Sequence, residues 1–427
     1  MLSPLREHLR DTFWFAPVAA MAAVFLLWWL AYGLDAFLLD ALRDDRDYDQ
    51  IRQLMGIADD IKTVVTTISS AMMTFIGVVF SISLVAVQMA SGQFTPRVVR
   101  IFVRSRITKA TFAVFLSTFL LSLLVLTAYD GEGEPERVDS VPFFQSLLTL
   151  PMVALSLLLF VAYVNSTLRL MRVGHVVHRI TAESFRVLAR HPLNYAGAAP
   201  LPDVTGQVVH DGQSGVLRDV DIARLVRAAR KHGVVLRLVP RIGDFVMPGT
   251  PLLTVHGGRV PPLRVLRHSI SVGVERTFHQ DLGFGLRQLA DIGQRALSPA
   301  VNDPTTAVQS LDRIFQILAA VAPWELGAVR HLDGTGEVRL VQDVPTWTDL
   351  VDLGLTEIRL CAGAEPQVTR RLLAGIDDLL ALLPGELSGR REPLLRHRTL
   401  LVRAVERTVA EPAERAFALE PDRQGIG

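Results

Sequence analysis

Residues 63–96 contain no charged side chain. About 20 apolar residues in a helix are enough to cross the hydrocarbon core of a bilayer, so this run is longer than one crossing needs. Three more uncharged runs accompany it, at 12–34, 110–129 and 141–168. A soluble fold seldom carries four such stretches, because each would demand burial on every side. The pattern therefore predicts four transmembrane helices, at about 12–34, 63–92, 110–129 and 141–168. The first run is too long, and lacks the small-residue cleavage site, to be a removable signal peptide.

The intervening segments differ in sign. Arg97, Arg100, Arg104, Arg106 and Lys109 lie between the second and third runs with no acid among them, and Arg169, Arg172 and Arg179 follow the fourth. The segments DALRDDRDYD (40–49) and DGEGEPERVD (130–139) are mainly acidic. By the positive-inside rule both termini are expected in the cytoplasm. The expectation is a multi-pass membrane protein. Half of the residues are hydrophobic, mean hydropathy is +0.32 and formal net charge is only +1, which gives no support for a nucleic-acid partner. The single cysteine, Cys361, excludes an intramolecular disulfide and any cysteine-based zinc cluster.

The expected fold is a membrane α-helical domain over 1–175 followed by a cytoplasmic α+β part. The latter divides into a mixed α/β subdomain at 180–282, a helical bundle at 283–410 and a flexible, frayed tail at 411–427. In the mixed region 204–209 and VVLRLVP read as strands, and GDFVMPGTPLLTV reads as two short strands about a Pro-Gly turn. Asp219 or Asp221 is placed to cap a helix that Gly233 ends. Five amphipathic stretches follow: FGLRQLADIGQRAL, PTTAVQSLDRIFQILAAV, TWTDLVDLGLTEIRL, QVTRRLLAGIDDLLALL and EPLLRHRTLLVRAVERTV.

The second run carries the most informative pattern. Thr63, Thr67, Ser70, Thr74, Gly77, Ser81 and Gln88 recur at spacings of four and three, with Leu84 completing the series, and so share one helix face. Small and hydroxyl residues let membrane helices approach closely, which requires nothing beyond folding. The same face lining a water-filled path in an oligomer would offer hydroxyls in place of ion hydration. Arg97, Arg100 and Arg104 would then stand at the cytoplasmic mouth, where a ring of arginines favours anions.

Enzyme signatures are missing. There is no G-x-x-x-x-G-K-[ST], no H-E-x-x-H and no G-x-S-x-G. His175 and His178 lack a third ligand nearby. GDFVMPGTPLLTV resembles the turn of biotinyl or lipoyl domains but has no attachment lysine. Nothing calls for a cofactor or metal. Glu275, Arg276, His279, Gln280, Asp281, Arg287 and Asp291 supply both signs of charge within a short region and read as internal ion pairs at a subunit or domain contact, with a binding pocket as the alternative. In RALSPAVNDPTTA, Ser298-Pro299 and Asp303-Pro304 read as two cap-proline units, Asp303 accepting the amides of Thr305 and Thr306, with Asn302 in the left-handed or bridging conformation of a helix corner.

Two long blocks carry a resemblance: ISSAMMTFIGVVFSISLVAVQMASGQFTPRVVR, and then VGVERTFHQDLGFGLRQLADIGQRALSPAVNDPTTA. They are similar to the bacterial membrane-protein family described as domain of unknown function 2254. The resemblance implies four spans followed by a cytoplasmic domain, and no established activity. The residues themselves favour an oligomeric channel or pore-like protein, with the second span lining the path and the cytoplasmic domain assembling or gating it. The expected partners are the lipid bilayer, further copies of the chain and small ions. A non-conducting scaffold or sensor is the alternative. A tethered enzyme ranks last, since Ser298, Asn302, Asp303, Thr305, Glu275 and Asp281 supply no nucleophile with an adjacent base.

Overall fold

The computed structural model describes residues 12, 14–44, 48–93, 105–129, 141–190 and 200–424. They form two compact units, divided at Val173. The first contains α1 (Phe15–Asp44), α2 (Tyr48–Gln93), α3 (Arg106–Thr127) and α4 (Phe143–Met171). All four are long and apolar enough to cross a membrane.

Helices α1, α3 and α4 pack closely on one another. Small polar side chains make this possible: Thr111, Ser117, Thr118 and Ser122 of α3, and Ser146, Thr149 and Ser156 of α4, are all buried. Most of their hydroxyls bond backward to carbonyls of their own helix, as Thr118 does to Val114 (2.8 Å) and Ser156 to Met152 (2.8 Å). Thr118 and Ser156 also meet each other at 3.1 Å. Helices α1 and α2 extend beyond the uncharged runs, α1 to Asp44 and α2 back to Tyr48. The acidic segment 40–49 is thus partly helical. α1 carries a buried carboxylate just past its apolar run: Asp35 accepts the backbone amides of Phe144 (2.7 Å) and Gln145 (3.2 Å), capping the start of α4.

The second unit opens with α5 (Val173–Arg190), followed by β1 (Val204–Val209), β2 (Gly215–Val220), α6 (Ile222–His232), β3 (Val234–Leu238), β4 (Phe245–Val246), β5 (Pro251–Gly257), α7 (Leu263–Arg267) and β6 (Ile270–Gly273). Next come α8 (Leu282–Ala296), α9 (Pro304–Val321), β7 (Ala328–Leu332), β8 (Val338–Asp343), α10 (Trp347–Ala362), α11 (Pro366–Leu382), a 3-10 turn, α12 (Arg391–Thr408) and α13 (Pro412–Ala418). One sheet has the order β1-β5-β3-β8-β7, and a smaller one β4-β2-β6. Only the β3–β8 pairing is parallel. The hairpin β7–β8, absent from the sequence expectation, thus returns from between two helices to complete the sheet.

Local chemistry sets the helix limits. Asp221 caps α6 through the amide of Arg224 (2.9 Å), and Gly233 ends it at φ 65°, where a side chain would be strained. Thr346 and Asp349 form a reciprocal capping box on α10. Gly375 lets α11 press directly against the Phe315 ring. The tail expected to be frayed instead forms α13: Arg370 stacks on Phe417 at 4.0 Å and bonds to the Glu420 carbonyl.

Between α10 and α12, buried His397 sits in a polar relay. Its Nε2 lies 2.8 Å from Asp352 Oδ1, and Arg359 Nε donates to its Nδ1 at 3.3 Å. That arrangement requires the neutral ring protonated on Nε2. Burial pushes the imidazole below its ordinary pKa, outweighing the pull of Asp352. The unfolded chain therefore binds a proton that the folded site refuses. The stability contribution is complete above about pH 6.5 and is lost as pH falls below that value. Thermal unfolding should show a midpoint that drops between about pH 7 and pH 5, with a smaller drop in His397→Gln. Equal drops in both proteins would contradict the assignment.

Candidate functional site

α2 presents two opposite faces. Val65, Met72, Val79 and Ala86, spaced by seven, are 0–2% exposed and pack toward the other apolar helices. Val65 joins Val24, Leu121 and Val125, while Val79 joins Phe112, Phe115 and Tyr163. Tyr163 of α4 fixes the register: its hydroxyl donates to the Val79 carbonyl (3.0 Å) and meets Ser83 at 2.6 Å. Phe75 lies edge-on to Phe115 and Phe160.

The polar series lies on the other side. Thr63, Thr67, Ser70, Thr74, Gly77, Ser81 and Gln88 are all exposed in the protomer. At 100° per residue they centre opposite the buried face. Packing among the described residues therefore does not employ them; the buried hydroxyls of α3 and α4 do that work instead. Thr67 and Thr74 give their protons to the carbonyls of Thr63 (2.9 Å) and Ser70 (3.3 Å). Their oxygens consequently offer lone pairs outward. No hydrogen bond involves the side chains of Ser70, Ser81 or Gln88 among the described residues. From Thr63 to Gln93 the helix runs without a charge for about 45 Å, against roughly 30 Å of bilayer hydrocarbon. Arg97, Arg100 and Arg104 lie outside the described residues.

The second polar region resolves into ion pairs. Arg276 grips Asp281 through two bonds (2.7 and 2.9 Å), although burial raises the Asp281 pKa. His279 faces Asp219 at 3.2 Å, and Arg287 bridges Asp291 and Glu357. Gln280 pairs with both backbone groups of Val220. Two of these ties are local, Arg276–Asp281 and Arg287–Asp291, and the others link neighbouring elements.

The corner between α8 and α9 has one side-chain cap. Asp303 accepts from the Thr306 amide (3.0 Å) and hydroxyl (2.5 Å), with Pro304 at the first helical position. Thr305 is not its partner. Ser298 donates backward to the Arg295 carbonyl (2.7 Å) and caps nothing. Asn302 adopts φ 47°, turning the chain between the helices; its backbone N–H donates to the Ser298 carbonyl (2.9 Å), and its exposed side-chain amide makes no hydrogen bond among the described residues.

Sequence reading missed Asp35 and Tyr163. Pro17, Val24, Ala31, Asp35 and Leu39, spaced by seven and four, are the buried positions of α1, a periodicity that would have shown the helix continuing past the first charge. Among the described residues, no group of three or more His, Cys, Asp or Glu side chains could hold a metal ion.

The family model described as Predicted membrane protein (DUF2254) matches residues 10–378. Uncharacterized proteins of Mycobacterium tuberculosis and Mycobacterium bovis are each 29% identical over 391 residues, covering 85% of this chain and 72% of the relative. No solved structure matches the chain.

The two faces of α2 should respond differently to substitution. Tyr163→Phe removes two interhelical bonds, each worth about 0.6 kcal/mol in membrane proteins, and should lower protomer stability in detergent by roughly 1 kcal/mol. Ser81→Leu, on the exposed face, should leave it unchanged. Thermal unfolding in detergent checks both.

Proposed function

The chain belongs to the DUF2254 family of predicted membrane proteins, and on that premise we propose that it is an oligomeric channel or pore-like protein in which the polar faces of several α2 helices line a shared path. The observation that carries this reading is the outward direction of Thr67, Ser70, Thr74, Gly77, Ser81 and Gln88. Hydrocarbon offers no hydrogen bonds, so an uncovered hydroxyl stripe facing lipid is unfavourable. A second copy or water must meet it. Closed rotational symmetry lets equivalent stripes converge on one axis.

In this reading the protein sits in the bacterial inner membrane with both termini in the cytoplasm. The second unit assembles or gates the path, and Arg97, Arg100 and Arg104 form its cytoplasmic mouth. Their charge favours anions. The outward lone pairs of Thr67 and Thr74 favour cations or water, so the mouth and the wall pull selectivity in opposite directions. The self-bonding of these threonines also supports a second reading, a non-conducting scaffold or sensor in which the stripes simply pack together.

Ion flux from liposomes containing purified protein separates the readings. A channel gives flux that Thr74→Leu or Ser81→Leu reduces about tenfold or more while assembly persists, since bulky apolar side chains close a narrow path by dewetting. Arg97→Glu should shift the reversal potential toward cations. An intact oligomer that carries no flux under voltage or tension leaves the scaffold reading.

A further inference from the structure

Many arginines of the second unit are neutralised in place. Arg237, Arg241, Arg267, Arg276, Arg287, Arg339, Arg370, Arg371, Arg396, Arg398 and Arg423 each reach an aspartate or glutamate. α6 is different. Leu225 and Ala229 bury its inner face against the sheet, and its outer face carries Arg224, Arg227, Arg230 and Lys231, all exposed. Among the described residues none of these four side chains has an ion pair or hydrogen bond.

Like charges three and four apart on one helix repel, and 224/227, 227/230 and 227/231 are such pairs. The helix dipole accounts for cations in the last turn, Arg230 and Lys231, but it disfavours Arg224 in the first turn. Arg259 and Arg264, exposed and likewise unpaired among the described residues, widen the patch: α7 packs on α6, and Gly258 lies against the His232 carbonyl at the end of α6. Five arginines and a lysine thus share one side of the subdomain. The exposed Leu263 stands among them.

We propose that this face of α6 and α7 docks on the anionic leaflet of the membrane that holds the chain's own apolar helices. The inference rests on the membrane and cytoplasmic-topology part of the proposed function and is independent of conduction. Charge complementarity identifies the partner, because the cytoplasmic leaflet is rich in anionic headgroups and attracts basic surfaces beside a membrane anchor. The tether makes docking intramolecular, so weak individual contacts suffice. A single-stranded nucleic acid fits less well, since neither helix offers a Phe, Tyr or Trp ring on which successive bases could stack.

The test uses the full chain with Cys361→Ser and Ala223→Cys, a fluorophore at position 223, and vesicles containing a headgroup-quencher lipid. One set is phosphatidylcholine, and the other an equal mixture with phosphatidylglycerol. Flotation first establishes that the protein resides in both. Each basic residue at an anionic surface should favour the docked state roughly fivefold, so quenching should be about twofold or more stronger in the mixed vesicles. It should fall in ~1 M salt, where the Debye length is only about 3 Å. The triple variant Arg224→Glu, Arg227→Glu and Arg230→Glu should also abolish the difference, with thermal unfolding unchanged. Equal quenching in both vesicles overturns the docking proposal and leaves the membrane reading intact. Failure to float overturns both. Lipid-independent quenching with tight, salt-sensitive binding of a labelled single-stranded RNA would assign the face to nucleic acid and overturn it as well.

Discussion

The contact of Val65, Met72, Val79 and Ala86 with the other apolar helices decides what the rest of α2 can do. A helix has one circumference, and these four positions commit one side of it to the protomer. Tyr163 then locks rotation by bonding the Val79 carbonyl and Ser83 from the neighbouring helix. With the apolar side fixed inward, Thr67, Ser70, Thr74 and Ser81 have no choice but to face out. Rotating α2 to bury them would place Met72 and Val79 outside and break the tyrosine bond.

Small polar residues thus serve two ends in the same unit. Between α3 and α4 they are buried, most of them bonded to carbonyls of their own helix or to a neighbouring hydroxyl, and they allow close packing. On α2 they are uncovered. The distinction is energetic, because a hydroxyl in hydrocarbon must find an acceptor, and one supplied by its own i−4 carbonyl satisfies only its proton. Asp35 shows how fully such groups are otherwise managed: both of its oxygens serve the first amides of α4. Against that standard the stripe on α2 is a polar feature without a packing role among the described residues.

Much of this was legible from the chain itself. The helices of the second unit begin and end close to where caps and periodicity place them, as at Asp221, Gly233 and Pro304, because those signals are local. The parallel β3–β8 pairing was not legible, since the two strands lie about a hundred residues apart and share no local signal. The β7–β8 hairpin did have one, a D-G-T-G turn between alternating segments, that helical neighbours obscured. Asp35 is hidden from a reading by uncharged runs, because such a run ends at the first charge while the helix continues. For the candidate site, the spacing of the stripe was visible in the sequence, but its direction depended on which residues of α1, α3 and α4 met α2.

The central claim, that a further copy of the chain meets the exposed polar face of α2, is tested most directly by disulfide cross-linking in native membranes. Single cysteines at positions 70, 74 and 81 would be compared with positions 73 and 80, where Met73 and Phe80 face outward from the flanks of the stripe, all with Cys361→Ser. The account predicts covalent dimers from the stripe positions at several times the yield of the flanking ones. Equal yields throughout, or none from the stripe, would contradict it.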